Sequence, residues 1–276
     1  MTPAGPTFSP PTLALPWPVL QAPPSWRQID FISDLHLQEQ DPATFAAWQN
    51  YLKTTSADAL FILGDLFEVW VGDDVLDSKK SGFESLCASA LKAASRRLPI
   101  FLIHGNRDFL LGTAFASACN LTLLDDPCIL DFGGERWLLS HGDALCIDDT
   151  EYMAFREQVR SDRWKQDFLS QPLSKRQDLA RALRTQSETR KRSTETFIDL
   201  DVTASCDWLN RGQAKTLIHG HTHQPRTHDL PGGLQRIVLS DWDAMSSPPR
   251  AEVVRLTQHL ACQDSGAVVQ RIPLTV

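Results

Sequence analysis

The sequence comprises 276 residues, of which 42% are hydrophobic, and it carries a formal net charge of −7 at pH 7. This length and composition allow a sizeable core, as one domain or one domain with an insertion. Sequence-independent nucleic-acid binders are usually basic, so the acidic balance argues against that class. The six cysteines are scattered without a CxxC pair, which is typical of reduced cysteines in a cytosolic protein. No apolar run reaches the roughly 18 residues that a membrane-spanning helix needs.

The first 27 residues contain eight prolines. They have neither a cationic start nor a continuous apolar run, so they do not resemble a secretory signal. We expect residues 1–27 to form a mostly extended, poorly ordered extension, and residues 28–276 to form the folded domain.

The first predicted strand, Ile29–Ser33, leads directly into Asp34 and His36. These two residues are two apart, so in extended backbone they share one side and can bind one ion. A helix is predicted next, because Asp41 and a first-turn proline precede an apolar face at helical spacing. Trp48 lies on that face and is predicted to be a core residue.

Four consecutive apolar residues, Leu60–Leu63, predict a strand that is buried on both faces of a parallel or mixed sheet. Asp65 follows Gly64 at its carboxyl end, where open α/β sheets place their sites. The acidic loop Gly72–Asp74 could support the site or form its rim, and we favour a solvated turn. An amphipathic helix is predicted over Ser81–Arg97.

The same construction, a short apolar run followed by a polar cluster, recurs further along the chain. The clusters are His104-Gly105-Asn106-Arg107-Asp108, His141-Gly142-Asp143 and His219-Gly220-His221-Thr222-His223. Around these clusters we predict a helix over 113–120 and a hairpin at Gly133-Gly134. We also predict strands over 99–103, 121–124, 129–132, 136–140, 215–218, 236–239, 252–256 and 268–272. This alternation of strands and helices predicts an α/β fold.

Residues 149–213 show only helical patterns, interrupted at Pro172. This stretch carries a basic block, made of Lys175, Arg176, Arg181, Arg184, Arg190, Lys191 and Arg192. A solvated helix face is the plain interpretation of such a block. Because the stretch interrupts the strand–helix order between two polar clusters, we favour a helical insertion that acts as a cationic lid for an anionic substrate.

If the strands lie side by side, their polar clusters meet at one edge of the sheet. The candidate ligands are oxygen and nitrogen donors without cysteine, namely Asp34, His36, Asp65, Asn106, His141, His221 and His223. This set suits Mn²⁺, Fe²⁺ or Zn²⁺, and seven donors suit two ions with Asp65 as the bridge. Two ions roughly 3.5–4 Å apart can generate a hydroxide nucleophile and hold phosphoryl oxygens. We assign packing or supporting roles to His104 and His219, and structural roles to His228 and His259.

The ordered set of these motifs, over residues 29–223, resembles the calcineurin-like metallophosphoesterases. The resemblance implies a four-layer αββα sandwich of two mixed sheets flanked by helices, with a helical lid insertion at about 149–213. Residues 63–74, 104–112 and 141–149 are most similar to the branch that hydrolyses UDP-2,3-diacylglucosamine to 2,3-diacylglucosamine 1-phosphate and UMP in lipid A biosynthesis. That branch implies a peripheral enzyme on the cytoplasmic face of the bacterial inner membrane.

The resemblance also implies roles for individual residues. One Mn²⁺ would be held by Asp34, His36, Asp65 and His223, and a second by Asp65, Asn106, His141 and His221. Asn106 and Arg107 would be catalytic and, with His221, would contact the pyrophosphate. Further substrate contacts would come from Asp149, Ser187, Lys191 and Thr194.

Two other functions remain open at this point. A dinuclear metallophosphoesterase of the same fold could act on another nucleotide or phosphoester. A non-enzymatic scaffold of the same fold is the third possibility, although the full ligand set argues against it. We expect a lipid substrate and contact with a membrane surface, no nucleic acid and no obligate protein partner.

Overall fold

The structure is a computed structural model that describes residues 7–9, 15–77, 82–193, 199–258 and 266–275, without the side chains of 7–9 and 185–193. The helices in these residues are α1 Pro42–Thr54, α2 Gly82–Ala94, α3 Thr113–Cys119, α4 Thr150–Arg160, α5 Asp162–Leu169, α6 Leu173–Ser193 and α7 Val202–Gly212. The strands are β1 Thr7–Ser9, β2 Val19–Gln21, β3 Gln28–Ile32, β4 Ala59–Leu63, β5 Ile100–Ile103, β6 Thr122–Leu124, β7 Cys128–Phe132, β8 Glu135–Leu139, β9 Thr216–His219, β10 Arg226–Leu230, β11 Leu234–Val238, β12 Glu252–Gln258 and β13 Ala267–Pro273.

The strands form two mixed sheets. One has the order β13-β12-β3-β4-β5-β6, and its strands β3 to β6 are parallel. The other has the order β1-β2-β7-β8-β9-β11-β10, in which β8, β9 and β11 are parallel. The predicted hairpin is confirmed, because β7 and β8 pair antiparallel across Gly133-Gly134.

Strand β4 is buried on both faces, as its continuous apolar run predicted. All five of its residues are buried. Leu60 and Ile62 pack with Trp48 in the core beneath α1, α2 and α3, whereas Phe61 and Leu63 pack in a second core between the two sheets. A third core joins the second sheet to Leu209 of α7. These layers confirm the predicted α/β sandwich and the core position of Trp48.

The expectation of a poorly ordered extension is wrong for residues 15–27. Strand β2 pairs parallel with β7, and Ile129 N donates to Pro18 O at 3.0 Å. Leu15, Leu20 and Trp26 are buried. The prolines lie before and after β2 rather than within it, so the strand keeps all of its N–H groups. Residues 1–6 and 10–14 lie outside the described residues.

Two other expectations need correction. Helix α7 falls inside the predicted lid insertion but packs against β8 and β9 as an outer layer of the sandwich. We therefore restrict the name lid to helices α4–α6. The turn at Gly72–Asp74 is not simply solvated. Asp73 accepts from Gly112 N at 2.9 Å and Phe115 N at 2.8 Å, which fixes the start of α3.

Candidate metal centre

Loops that follow five strands bring the predicted ligands to one edge of the two sheets. Asp34 and His36 follow β3, Asp65 follows β4, Asn106 follows β5, His141 follows β8, and His221 and His223 follow β9. The two sheets meet at this edge, because His221 N donates to both carboxylate oxygens of Asp34, at 3.1 and 3.0 Å. Asp34 and His221, which are 187 residues apart in sequence, thus share one site.

The backbone of these loops adopts a conformation that non-glycine residues rarely take. Asp34, His36, Asp65, His221 and His223 have φ between 47° and 69°. Left-handed backbone at non-glycine residues costs free energy and is concentrated at functional sites. The only other non-glycine residues with positive φ in the described chain are Asn120 and Gln213, which end helices α3 and α7.

Two glycines allow the loops to approach each other closely. A Cβ on Gly105 would lie 2.0 Å from Asp65 Oδ1, and a Cβ on Gly220 would lie 2.3 Å from Asp34 Oδ2. No side chain fits at either position, so the sequence places glycine there. Asp108 also joins two loops, since its carboxylate accepts from Leu66 N at 2.7 Å and Gly105 N at 2.8 Å.

The first group of donors comprises Asp34, His36 and His223, whose ligand atoms lie within 4.8 Å of one another. His223 Nε2 is 3.2 Å from Asp34 Oδ1 and 3.3 Å from His36 Nε2. His36 Nδ1 is 3.0 Å from Glu68 Oε2. The Glu68 carboxylate favours a proton on Nδ1, which leaves Nε2 as the atom able to bind a cation, as in a carboxylate–histidine–metal triad.

The second group comprises Asp34, Asp65 and His141, again within 4.8 Å. His141 Nδ1 donates to Leu63 O at 2.9 Å, so its Nε2 faces the site, 3.0 Å from Asn106 Oδ1 and 3.8 Å from Asp65 Oδ1. His221 Nδ1 lies 2.9 Å from the same Asn106 oxygen. His36 Nε2 lies 3.8 Å from Asp65 Oδ2 and His141 Nε2 lies 3.8 Å from Asp65 Oδ1, so this carboxylate faces both groups of donors.

The charges of the site shift the pKa of its members. Burial raises the pKa of Asp34, but the hydrogen bond from His223 and the neighbouring imidazoles hold it well below its usual value. Burial lowers the pKa of His141, yet the carboxylates of Asp65, Asp34 and Asp143 raise it to about 9. Burial and the charge of His141 lower the pKa of His221 to about 3. At neutral pH, His141 therefore carries a proton and His221 does not.

The donor set fits divalent cations. Carboxylate, imidazole and amide donors converge without a thiol, and the tautomers of His36 and His141 are fixed by Glu68 and Leu63 O so that Nε2 points inward. Lone pairs that converge this closely repel each other unless a positive charge lies between them. A divalent cation supplies that charge.

Glu68 links the metal edge to cationic side chains. It is 8% exposed, and its Oε1 lies 3.5 Å from Arg107 Nη1 and 3.2 Å from Arg184 Nε of α6. Among the arginines of the cationic block whose side chains the structure describes, Arg184 reaches the site and two others do not. Arg176 is buried against Asp74 and Val71 O, and Arg181 pairs with Asp178.

Asp143, in the His141 loop, attaches the lid. Its Oδ2 accepts from Tyr152 Oη at 2.6 Å, Arg156 Nε at 2.8 Å and Arg160 Nη2 at 3.2 Å, all on α4. Arg160 also donates to Gly105 O at 3.0 Å, next to Asn106. Asp143, Tyr152, Arg156 and Arg160 were not among the predicted site residues. The spacing of four between Tyr152, Arg156 and Arg160 marks one helix face and was the available signal.

The lid and the core enclose a cavity of about 350 Å³ beside Asn106 and Arg107. Its wall is largely aromatic and aliphatic, and includes Trp70, Phe109, Leu110, Phe155, Trp164 and Phe168. We call this the apolar cavity.

The structure describes some of the side chains that the resemblance assigned to the substrate and leaves others undescribed. Arg107 lines the apolar cavity. Asp149 caps α4 by accepting from Tyr152 N at 3.0 Å. Ser187 and Lys191 lie on α6, but their side chains, and all of Thr194, lie outside the described residues. His104 Nε2 contacts Leu111 O at 2.6 Å, His219 is buried behind His221, and His259 lies outside the described residues.

Comparison with known proteins agrees with this site. The sequence model described as calcineurin-like phosphoesterase matches residues 27–225. The UDP-2,3-diacylglucosamine hydrolase of Shewanella pealeana is 43% identical over 216 residues, which cover 77% of this chain and 89% of that protein. The protein of the same name from Aeromonas hydrophila subsp. hydrophila is 43% identical over 240 residues, covering 83% and 97%. That from Pseudomonas entomophila is 44% identical over 221 residues, covering 77% and 90%.

The two sheets, their flanking helices and the converging donors define a metal-dependent phosphoesterase. The chain belongs to the calcineurin-like phosphoesterase family and, within it, to the group of UDP-2,3-diacylglucosamine hydrolases. The scaffold hypothesis is therefore set aside in favour of a hydrolase.

Proposed function

We propose that this protein hydrolyses the pyrophosphate bond of UDP-2,3-diacylglucosamine, giving 2,3-diacylglucosamine 1-phosphate and UMP, in lipid A biosynthesis. The observation that carries the proposal is the apolar cavity of about 350 Å³ next to Asn106 and Arg107 at the metal edge. A phosphoesterase for small polar esters needs no such cavity, whereas acyl chains need apolar surface at the reaction centre.

In this proposal two Mn²⁺ ions are the cofactors, one held by Asp34, His36, Asp65 and His223, the other by Asp65, Asn106, His141 and His221. When bound, the ions supply a nucleophile from water at neutral pH and offset the charge of the phosphoryl oxygens. Other divalent metals satisfy the same donors.

The remaining steps fall to side chains of this chain. Arg107 is a permanent cation at the metal edge, 3.5 Å from Glu68 Oε1, and binds the phosphoryl oxygens on which charge develops. His221 and the Asn106 amide orient the pyrophosphate. The lid excludes water above the pyrophosphate through Tyr152, whose ring centroid lies 6.1 Å from that of His221.

The lipid portion lies beneath the lid, with its acyl chains in the apolar cavity and its sugar near Asp149, Ser187, Lys191 and Thr194. Among the described residues, no helix combines the length and apolar character needed to cross a bilayer. We propose peripheral contact with the cytoplasmic face of the inner membrane through exposed apolar lid side chains such as Phe155, Leu169 and Leu183.

The test is turnover of UDP-2,3-diacylglucosamine by metal-free protein reloaded with Mn²⁺, with UMP release measured by chromatography. UDP-N-acetylglucosamine, which lacks the acyl chains, is the matched substrate control. We expect Mn²⁺-dependent release of UMP from the lipid and little from the control. Turnover of phosphodiesters or nucleotides by the loaded enzyme, without turnover of the lipid, would refute the proposal and favour another phosphoesterase substrate.

A further inference from the structure

A second cavity, of about 670 Å³, lies across the Glu68–Arg184 ion pair from the apolar cavity. Glu68, Val69, Trp70, Val71 and Arg184 line both cavities, so this segment and this arginine form the wall between them. The second cavity has a volume typical of small-molecule sites. Nothing in the proposed handling of the acyl chains or the metals uses it.

The second cavity begins at the metal edge. Leu37 and Gln38, which follow the ligand His36, form part of its lining, as does Glu68, which contacts His36 at 3.0 Å. Two backbone hydrogen bonds, Leu37 N to Leu66 O at 3.0 Å and Glu68 N to Leu37 O at 3.2 Å, hold the segment after His36 against the segment after Asp65. The position of Gln38 is therefore fixed relative to both ligands.

The two cavities differ in chemistry. Polar groups converge on the second cavity, and its lining includes Gln38, Glu39, Gln40, Glu84, Gln177 and Arg181. The arginines in its wall are paired with carboxylates, Arg181 with Asp178 and Arg184 with Glu68, and two glutamates also line it. A neutral ligand with many hydrogen-bonding groups suits this lining better than a polyanion or an acyl chain.

In a substrate made of a lipid, a pyrophosphate and a nucleoside, the nucleoside is the neutral part that carries many hydrogen-bonding groups. We propose that the second cavity binds the nucleoside, with the phosphate at the metal edge and the lipid on the other side of the Glu68–Arg184 wall. Gln38 is half-buried, and its Oε1 accepts from Arg184 Nη1 at 3.5 Å, which leaves its amide NH₂ as a donor for a uracil carbonyl. The half-buried Phe83 ring, 5.1 Å from Phe45, provides an aromatic face in the same cavity.

This inference depends on the proposed function for the identity of the nucleoside, and its test does not require turnover of the lipid. The probe is UMP, titrated by calorimetry into Mn²⁺-loaded full-length protein. Gln177→Trp places a large side chain in the second cavity from an exposed position on α6. Leu179→Trp, two residues on, is exposed on the same helix and lines neither cavity, so it is the matched control.

We expect Gln177→Trp to weaken UMP binding about tenfold or more through steric exclusion, and Leu179→Trp to change it less than about twofold. Gln38→Ala, which does not add bulk, should reduce the preference for UMP over AMP. Binding of 2,3-diacylglucosamine 1-phosphate should be equal in Gln177→Trp and Leu179→Trp.

Unchanged UMP affinity in both Gln177→Trp and Gln38→Ala would overturn the assignment, as would absence of UMP binding by the unsubstituted protein. Selective loss of lipid-phosphate binding in Gln177→Trp would assign the cavity to the lipid instead. If the enzyme turns over the lipid while UMP binding ignores both substitutions, only the nucleoside site fails. If UMP binding responds as expected without turnover of the lipid, the proposed function fails and the nucleoside site stands.

Discussion

The metal edge and the lid are attached to the same sheets by different means. At the metal edge, the position of each donor is set by the end of a strand, a left-handed backbone residue and close approach of glycine. Asp34 and His141 have no exposed surface there. The lid is instead held by side chains on helices: Arg156 and Arg160 pair with Asp143, Arg184 pairs with Glu68, and Phe168 packs into the core beneath α1, α2 and α3.

This difference separates two kinds of effect. Donors fixed by the backbone define the metal geometry whether or not the lid is attached. A lid that is held by side-chain contacts can loosen while the sheets stay intact. Its helix α6 is incompletely packed, since Leu179 and Leu183 are 39% and 41% exposed. Substitutions at the edge should therefore change metal binding, and substitutions at the lid anchors should change lid stability and substrate affinity. Glu68 and Asp143 lie where the two regions meet.

The largest effect is expected at the metal edge itself. His141→Ala removes a fully buried donor and should lower kcat/KM by roughly a thousandfold, beyond the roughly 10–100-fold typical of outer-shell partners. Initial rates and metal content by mass spectrometry would measure this. His228→Ala, on β10 away from the site, is the control and should retain activity. A His141→Ala variant with full metal content and an unchanged rate would contradict the claim that substitutions at the metal edge change metal binding.

The next effect concerns lid attachment. Asp143→Asn removes the charge that pairs with Arg156 and Arg160, and because both arginines keep part of their surface in water we expect a loss of roughly 3 kcal/mol in unfolding free energy. Denaturant titration would measure it. Asp207→Asn breaks only an exposed pair with Arg211 and should cost roughly 0–1 kcal/mol. Equal losses in the two variants would contradict the role of Asp143 as the lid anchor.

Glu68→Gln tests the junction between the regions. The substitution weakens the carboxylate contact to His36 Nδ1, so we expect Mn²⁺ affinity to fall roughly 10–100-fold. Asp74→Asn is a matched control, because Asp74 also pairs with an α6 arginine, Arg176, without touching a donor. Competition with a fluorescent chelator would measure both affinities. A loss of the same size in Asp74→Asn would show that the lid, rather than Glu68, supports the first metal position.

The smallest effect is on pH dependence. The pKa of His141 in the metal-free fold, about 9, lies above its usual value of 6.5. Its contribution to stability is therefore complete below pH 6.5 and is lost as the pH rises through 9. Metal-free protein should melt at a lower temperature at pH 9.5 than at pH 7.

Metal binding requires a neutral imidazole, so Mn²⁺ binding at pH 7 should release a proton from His141. Calorimetry in buffers of different ionisation enthalpy would measure that proton. Binding without proton release, together with a melting temperature independent of pH, would contradict the proton assigned to His141.

Much of the metal edge was predictable because it is encoded locally. A buried apolar strand followed by Gly64-Asp65, or by His141-Gly142-Asp143, specifies both an element and the side chain at its end. Parallel strands then bring those ends together. The same local logic identified α1 through its cap at Asp41, whose carboxylate accepts from Thr44 N at 3.0 Å.

The failures all involve partners that are distant in sequence. Composition predicted disorder for residues 15–27, but Leu20 packs in the core between the two sheets. Helix α7 was grouped with the lid because periodicity identifies an apolar face without saying what covers it. The role of Glu68 depends on His36 and on Arg184, the latter 116 positions further along the chain, and no local pattern indicates that contact.

The sequence by itself determined which strands are buried and which donors follow them, because a two-residue period and a glycine turn are properties of a few neighbouring residues. Only the tertiary structure decided which carboxylate holds which imidazole, which arginines hold the lid and where the two cavities lie. Those are contacts between side chains far apart in the chain, and their energies depend on burial and on distances that exist only once the sheets have packed.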